Sequence, residues 1–349
     1  MLSGATFLSA CVTSATGDPA VSVPAAAETA AVATANADAA DDPAIWAPAT
    51  GGTFGFAGRT VSGIVVGTDK KAGLYVYGLD GAQLQFLPEG LLNNVDLREG
   101  FMIDGRPHLL IGASDRGPRK GIALYLFDPA ATDAANALRP WGAIASDVAE
   151  PYGFCMGRRG DAFVAILVAK DGQTRQYRLT AEDGQPKAVE ERRFAVGSQS
   201  EGCVVDDRAG MLYVGEEMVG VWRYSLDPAA GDARAQIAAA DGKRLVTDVE
   251  GVTMIRDGDA SYLIVSSQGD SAFAVWRVDG VAPDYRGRFR VSGSATIDAV
   301  SGTDGLDAFT GAIGPYGQGM LAVQDDVDTG GTQNFKLVDW AEVKRALGL

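Results

Sequence analysis

The chain of 349 residues holds 45 acidic against 30 basic side chains, a formal charge of −15 at pH 7, which argues against nucleic acid or an anionic membrane surface as a partner. Its 45 glycines and short apolar runs fit many brief strands rather than helices, and no stretch is long and apolar enough to span a membrane. One histidine and three scattered cysteines leave hard oxygen atoms as the main supply of metal ligands.

The chain starts with a segment containing Leu8-Ser9-Ala10-Cys11, the spacing of a bacterial lipoprotein processing box with Cys11 as the lipidated residue, although residues 1–7 lack the basic stretch of a signal peptide. The expectation is a start inside a longer signal sequence, export to the periplasm, outer membrane or medium, and a lipid anchor at Cys11; the alternative is a free cysteine in a disordered tail. Residues 12–40 are mostly Ala, Thr, Ser and Val, without an aromatic residue, and read as a flexible linker. The organisation expected is a signal remnant at 1–11, a linker at 12–40 and one folded domain at 41–349.

From Asp41 onward a short polar signature opens an apolar run six times, in DDPAIW (Asp41), NNVDL (Asn93), EPYGF (Glu150), SEGCV (Ser200), DVEGV (Asp248) and TDGLD (Thr303). A period of roughly fifty residues with several short β-rich runs per unit signals a β-propeller, one blade per repeat. The fold class expected is therefore all-β, a six-bladed β-propeller. One carboxylate, amide or tyrosine per blade would face a common axis.

A second polar cluster follows each opening after one run out and one run back: GTDKK (Asp69, Lys70, Lys71), ASDR (Asp115, Arg116), AKDG (Lys170, Asp171), GEE (Glu216, Glu217), SSQGD (Gln268, Asp270) and AVQDD (Gln324, Asp325). Successive strands of a blade are antiparallel, so the start of the first and the end of the second share one side of the disc. Near Asp80, Asp183, Asp257 and Asp279 the Asp-Gly pairs are ordinary turn chemistry. At Glu201, Glu250 and Asp304 the acid instead marks a strand start in a constant register. Acids gathered on one rim repel each other unless cations bind between them, and oxygen ligands favour Ca²⁺.

Cys155 and Cys203 fall at similar points of consecutive repeats, on inner strands. Export would permit a disulfide between them, but two buried thiols are the expectation. His108, in RPHLLIGAS, is expected as a packed or edge residue.

DDPAIW, GTDKKAGLYVY, LLNNVDLREGF, EPYGFCM, QSEGCVVDD with LYVGEE, TDVEGVTM with YLIVSSQG, TDGLD and QNFKLVDW occur in this order, and together they resemble the alkaline β-propeller phytases from about Asp41 to Trp340. The resemblance implies a monomeric 3-phytase-type hydrolase, acting on phosphate monoesters of myo-inositol hexakisphosphate with several Ca²⁺ ions at the channel mouth. It implies active-site calcium ligands at Asp41, Glu201, Glu216, Asp248, Glu250 and Asp304 with Tyr152 beside them, and phosphate-binding groups at Lys70, Arg116 and Lys170 with Lys71 as an additional candidate. Asp42, the Val95 carbonyl and Asp298 match positions of structural calcium. Gly302 stands where the family usually carries an acid, and QDDVDTGG after Gln324 departs from the usual acidic loop. Asp171 and Asp115 stand where Glu and Asn are common, and preserve polarity.

Neither a histidine acid phosphatase motif nor a Cys-x5-Arg loop occurs, so a covalent phosphoenzyme has no nucleophile. Clustered Ca²⁺ can orient a water for in-line attack while Lys and Arg neutralise the phosphoryl oxygens, at a pH where the carboxylates stay ionised. Two alternatives are a calcium-dependent propeller lactonase, whose site has little use for Lys70, Arg116 and Lys170, and a non-catalytic binding propeller.

Overall fold

A computed structural model describes residues 16–48, 51–131, 133–328 and 330–349. Six sheets of at least four strands stand around an axis. Blade 1 is Ala40–Trp46, Ile64–Asp69, Gly73–Gly78 and Gln83–Leu87, and blade 2 is Leu92–Ile103, Arg106–Asp115, Gly121–Phe127 and Leu138–Ala145. Blade 3 is Pro151–Arg159, Ala162–Ala169, Gln173–Glu182 and Gln185–Ala195, and blade 4 is Ser200–Asp206, Met211–Glu216, Gly220–Ser225 and Arg234–Ala239. Blade 5 begins Val252–Asp257, Ala260–Ser267, Ala272–Arg277 and Asp284–Ser292, and blade 6 begins Leu306–Thr310, Gly319–Asp328 and Thr332–Asp339. In every blade the first strand is innermost and packs on the first strands of its neighbours.

The core is divided among the blade junctions. Ile64, Val66 and Val76 of blade 1 pack on Ile111 and Tyr125 of blade 2, while Val65, Tyr75 and Tyr77, the alternate residues, pack on Phe335 and Leu337 of blade 6. Side chains of a strand alternate between its two faces. A blade buried on both faces must therefore be apolar at consecutive positions, and FVAILVA and YLIVSS are so. The outermost strand of blade 3 has one exposed face and reads QPKAVEERRFA, charged and alternating, as an unpaired edge requires.

Two short strands correct the linker reading of residues 12–40. Val21–Pro24 adds a parallel fifth strand to blade 5, Val21 opposite Phe289. Ala27–Glu28 supplies the missing fourth strand of blade 6, with Ala27 opposite Leu337 and Glu28 opposite Lys336. The two ends of the chain thus share one blade and close the ring. Strand addition at an edge rests on backbone hydrogen bonds, which small residues make as well as large ones; among the described residues of this segment Val23 and Val32 are the larger buried apolar anchors, joined by the small side chains of Ala25, Ala39 and Ala40. Cys11 lies outside the described residues. Helix Trp340–Leu347, capped by Asp339 accepting from Ala341 N, buries Trp340 and Val343 against blades 5 and 6. Cys155 and Cys203 are joined in a disulfide, not left as two thiols, because their inner strands bring the two Cα atoms within 5.7 Å.

Candidate active site

One backbone contact recurs in every blade at one end of the channel. In blades 1 to 4 the residue that follows the second strand donates its N–H to the residue before the first, Lys70 to Ala39 O, Arg116 to Leu91 O, Lys170 to Glu150 O and Glu217 to Gln199 O; in blade 5 Gln268 donates to Asp248 O, and in blade 6 Asp326, near the end of the second strand, donates to Ser301 O, all between 2.7 and 3.0 Å. These six residues form an outer ring of equivalent positions. Blades 1 to 3 place Lys70, Arg116 and Lys170 there; blades 4 to 6 place Glu217, Gln268 and Asp326. The inner strands, or in blades 5 and 6 the residues just ahead of them, supply an inner ring of Asp41, Asn93, Tyr152, Glu201, Glu250 and Asp304, one from each blade.

Glycine sets how closely the inner ring closes. A Cβ on Gly202 would fall 2.8 Å from Val252 N and nearer still to Glu250 O, and one on Gly153 would collide with the carbonyl of Glu201. Gly251 and Gly305 repeat the device against Asp304 O and Asp41 O, and their amides donate to those same carbonyls at 3.1 Å each. The Gly of Tyr-Gly, Glu-Gly and Asp-Gly at the openings is thus a packing requirement between blades.

The acids are held against their own repulsion. Carboxylate oxygens of Glu201, Glu217 and Glu250 lie within 4.8 Å of one another. Burial, then the charge of Glu201, pushes Asp41 up to about 8. Burial holds Glu250 well above the usual carboxylate range, with Glu201 and Glu217 adding to it. Burial raises Glu201 and lifts Glu217 to about 7 and Asp304 to about 7. Asp41 Oδ2, Asn93 Oδ1, Glu217 Oε1 and Glu250 Oε2 are buried without a hydrogen-bond partner. Orphaned oxygens of this kind are rare in folded proteins. This donor set, all oxygen and mostly anionic, fits a hard divalent cation, held by Glu201, Glu217 and Glu250 with Asp41 and Asp304 adjoining.

The basic side faces this cluster. Lys70 Nζ lies 2.6 Å from Asp38, 3.3 Å from Asp41 and 3.1 Å from Asp304. Burial would weaken its charge, but Asp41, Asp304, Glu201 and Asp38 outweigh it and hold the ammonium above the usual lysine range. Lys170 Nζ sits 5.3 Å from the centre of the Tyr152 ring. Tyr152 hydrogen-bonds Glu201, and burial followed by the charges of Glu201 and Glu250 raises its phenol above the usual range, so that it remains a donor. Asn93 also donates to Glu201. Arg116 is half-buried, 3.8 Å from Glu150. Lys71 is exposed, one residue beyond the outer-ring position.

The remaining candidates are spread. Glu216 lies outside the acid cluster, its two oxygens accepting from Ser198 Oγ at 2.7 Å and Trp222 Nε1 at 2.6 Å; its neighbour Glu217 turns inward instead. Asp248 is half-buried near Glu217. Asp42 and Val95 meet within the channel, Val95 N donating to Asp42 Oδ2 at 3.1 Å. Asp298 is at the rim of blade 6, where carboxylate oxygens of Glu28, Asp298 and Asp328 form a second group that could hold a cation. The buried ammonium of Lys336 contacts Asp298, lies 2.6 Å from Glu28 and 3.1 Å from Asp325, and offsets part of that negative charge. Glu217 and Gln268 stand in the second polar clusters of the sequence without being singled out there as site residues, and Asp326, inside the second strand of blade 6, is marked only by its backbone contact with Ser301.

His108 lies away from this face, lining a cavity at the far end of blade 2 with Arg106 and Arg139.

Fold and channel mouth together define a propeller whose one open face sets buried acids opposite a basic arc. The family model described as Phytase matches residues 1–349, and the chain belongs to the phytase family. It is 34% identical over 321 residues to the 3-phytase of Bacillus subtilis (strain 168), covering 89% of this chain and 82% of that protein. Among solved structures it is similar to BBS1N from its complex with ARL6DN, at a TM-score of 0.43 and 12% identity over 79% of this chain and 75% of that one. It is also similar to a GH43_1 enzyme from Xanthomonas citri, at a TM-score of 0.41 and 14% identity over 70% of this chain and 86% of that one. Scores this low say nothing of chemistry.

Proposed function

We propose that the protein is a calcium-dependent 3-phytase-type hydrolase, which cleaves phosphate monoesters of myo-inositol hexakisphosphate with water as the nucleophile. The observation that carries this reading is the division of the outer ring: three cationic side chains on blades 1 to 3, against a buried acid cluster with unsatisfied oxygens on blades 4 and 5. Glu201, Glu217, Glu250, Asp41 and Asp304 would hold the calcium, with Asp248 in support. Bound Ca²⁺ supplies Lewis-acid polarisation of a phosphoryl oxygen and orientation of the attacking water.

The protein's own groups do the rest. Arg116 and Lys170 offer charge-assisted donors to phosphoryl oxygens, the arrangement phosphoryl transfer uses to neutralise charge in its transition state. Lys70 exchanges its contacts with Asp38 and Asp41 for phosphate as substrate arrives. Tyr152, kept protonated, fixes Glu201 by its hydrogen bond and keeps one side of the mouth apolar beneath Lys170. A basic arc spanning three blades reaches more than one phosphate of the same molecule, so one anchors the ring while its neighbour reacts.

The disulfide supports an exported protein, since such bonds persist in oxidising compartments. Lipid anchoring through Cys11 and a monomeric state complete the reading. Phosphate release from phytate, measured across a calcium titration and after chelation, tests it. Release that is unaffected by chelation would leave a phytase without the calcium.

A further inference from the structure

Among the described residues one covalent bond joins two blades, between Cys155 of blade 3 and Cys203 of blade 4. Cys155 follows Tyr152 by three residues and Cys203 follows Glu201 by two, on the same inner strands. The bond therefore ties together the same two inner strands that carry the Tyr152–Glu201 hydrogen bond, two to three residues further along them. The same junction is where the outer ring changes sign, from Lys170 to Glu217.

The ring changes sign at one other junction, between blades 6 and 1, and there it is held differently. Lys70 bridges Asp41 to Asp304, Gln333 Oε1 accepts from Ala39 N and Ala40 N at 2.6 and 2.8 Å, and the N-terminal strand ties blade 6 together. At the junction of blades 3 and 4 no ion pair spans the mouth among the described residues. Glu201 is buried there with Asp304 and Glu217 as like-charged neighbours, while the countering attraction of Lys70 comes from blade 1 across the mouth and not from blade 3. A buried carboxylate pushed by its neighbours moves unless its strand is fixed, and Cys155, 1% exposed in the core between the two blades, fixes it.

We propose that the Cys155–Cys203 disulfide is a positioning element of the active site, holding Tyr152 against Glu201 and so setting the distance between the phosphate-binding arc and the cation-holding acids. This rests on the function proposed above for the two halves. Losing the bond loosens one junction locally, and the first consequence falls on the metal site rather than on the fold.

The test compares three proteins: wild type, Cys155→Ala/Cys203→Ala, and Val205→Ala. Val205 belongs to the same apolar cluster but lies further along the strand, so its truncation destabilises the junction without releasing Glu201. Calcium binding is read by titration calorimetry, and hydrogen exchange is read at the amides of residues 152–155 and 201–203 in calcium-free protein. The double variant should bind calcium about tenfold more weakly, the scale for losing a group that orients a metal ligand, with faster exchange at those amides and a parallel fall in kcat/KM. Val205→Ala should melt lower and keep its calcium affinity. Should the double variant not accumulate as folded protein, Cys155→Ala/Cys203→Val refills the core and gives the same comparison. Unchanged calcium affinity and unchanged exchange in the disulfide-free protein overturn the proposal. If wild type itself takes up no calcium, the calcium reading falls, and exchange alone decides on the disulfide.

Discussion

Replacing Gly202 by alanine isolates the spacing of the inner ring from its chemistry, because every ligand and every charge stays in place. The backbone at Gly202 is one that any residue adopts, so the cost is spatial. A new Cβ would lie 2.8 Å from Val252 N and 2.9 Å from the carbonyl carbon of Glu250, with the oxygen closer still, whereas ordinary contact begins at 3.4 Å. All three atoms are backbone and none can rotate away, so blades 4 and 5 must part by roughly 1 Å, at the cost of overpacking, about 1 to 3 kcal/mol. The parting occurs between Glu201 and Glu250. A misplacement of about 1 Å in a reacting constellation can cost about a hundredfold in rate. Gly202→Ala should therefore lower kcat about a hundredfold and weaken calcium, with a melting temperature only a few degrees below wild type. Gly55→Ala, with open space around the new Cβ, is the control and should change nothing. Phosphate release from phytate, calcium calorimetry and thermal melting measure the three effects. Wild-type turnover and calcium affinity in Gly202→Ala would refute the idea that inter-blade distance sets the site.

Glu217→Gln should weaken calcium and turnover together, while Glu216→Gln should mainly destabilise, since its charge serves Ser198 and Trp222; the reverse result in calorimetry and melting would return the ligand role to Glu216. Arg116→Ala and Lys170→Ala should each lower kcat/KM for phytate by about 1.5 to 3 kcal/mol, the worth of a hydrogen bond to a charged group, with calcium affinity measured without substrate left as in wild type. Asp41, Asp304 and Glu217 are raised to about 8, 7 and 7, so the calcium-free fold keeps protons that the unfolded chain releases near pH 4. Stability present below that pH is then lost as pH rises through 7 to 8, and melting in chelator should fall between pH 5 and 8.5 but much less with calcium present. Melting that rises over that range in chelator would contradict the raised carboxylates.

The propeller was legible because its period is carried by short polar signatures, and a blade buried on both faces advertises itself as consecutive apolar residues. Closure of the ring was not. Ala27–Glu28 contributes backbone hydrogen bonds to blade 6, and backbone hydrogen bonds leave no trace in composition. The disulfide was hidden for a related reason. Equal positions in consecutive repeats put Cys155 and Cys203 on neighbouring inner strands, but bond formation depends on how closely those strands approach, and Gly153, where a Cβ would collide with the Glu201 carbonyl, permits that approach. The basic half of the site could be narrowed to single residues because each of Lys70, Arg116 and Lys170 is the lone cation at, or first in, its cluster, and all three stand at the outer-ring position. In GEE two identical acids stand side by side, and only their surroundings in the fold separate them: Glu217 faces Glu201 and Glu250, while Glu216 accepts from Ser198 and Trp222.

The backbone contact that recurs in every blade explains why the site is polarised across the disc rather than around it. Each blade offers the mouth one outer-ring position, on a backbone held the same way, so the side chain there is free to vary without cost to the fold. Three neighbouring blades carry cations and the next three carry acid or amide. A mixed order would pair each cation with an adjacent acid and neutralise the mouth. Segregation leaves one arc able to attract phosphate and the other able to attract a metal, and it concentrates strain where the arcs meet. Lys70 relieves one meeting point by reaching Asp304. At the other, Lys170 lies over the Tyr152 ring and forms no ion pair among the described residues, so the strands beneath must hold Glu201 in place. An ion pair engineered across that junction, away from the calcium-holding acids, should make the disulfide dispensable for calcium binding; if the disulfide-free protein carrying it binds calcium no better than without it, the meeting of the two arcs is not what the bond restrains.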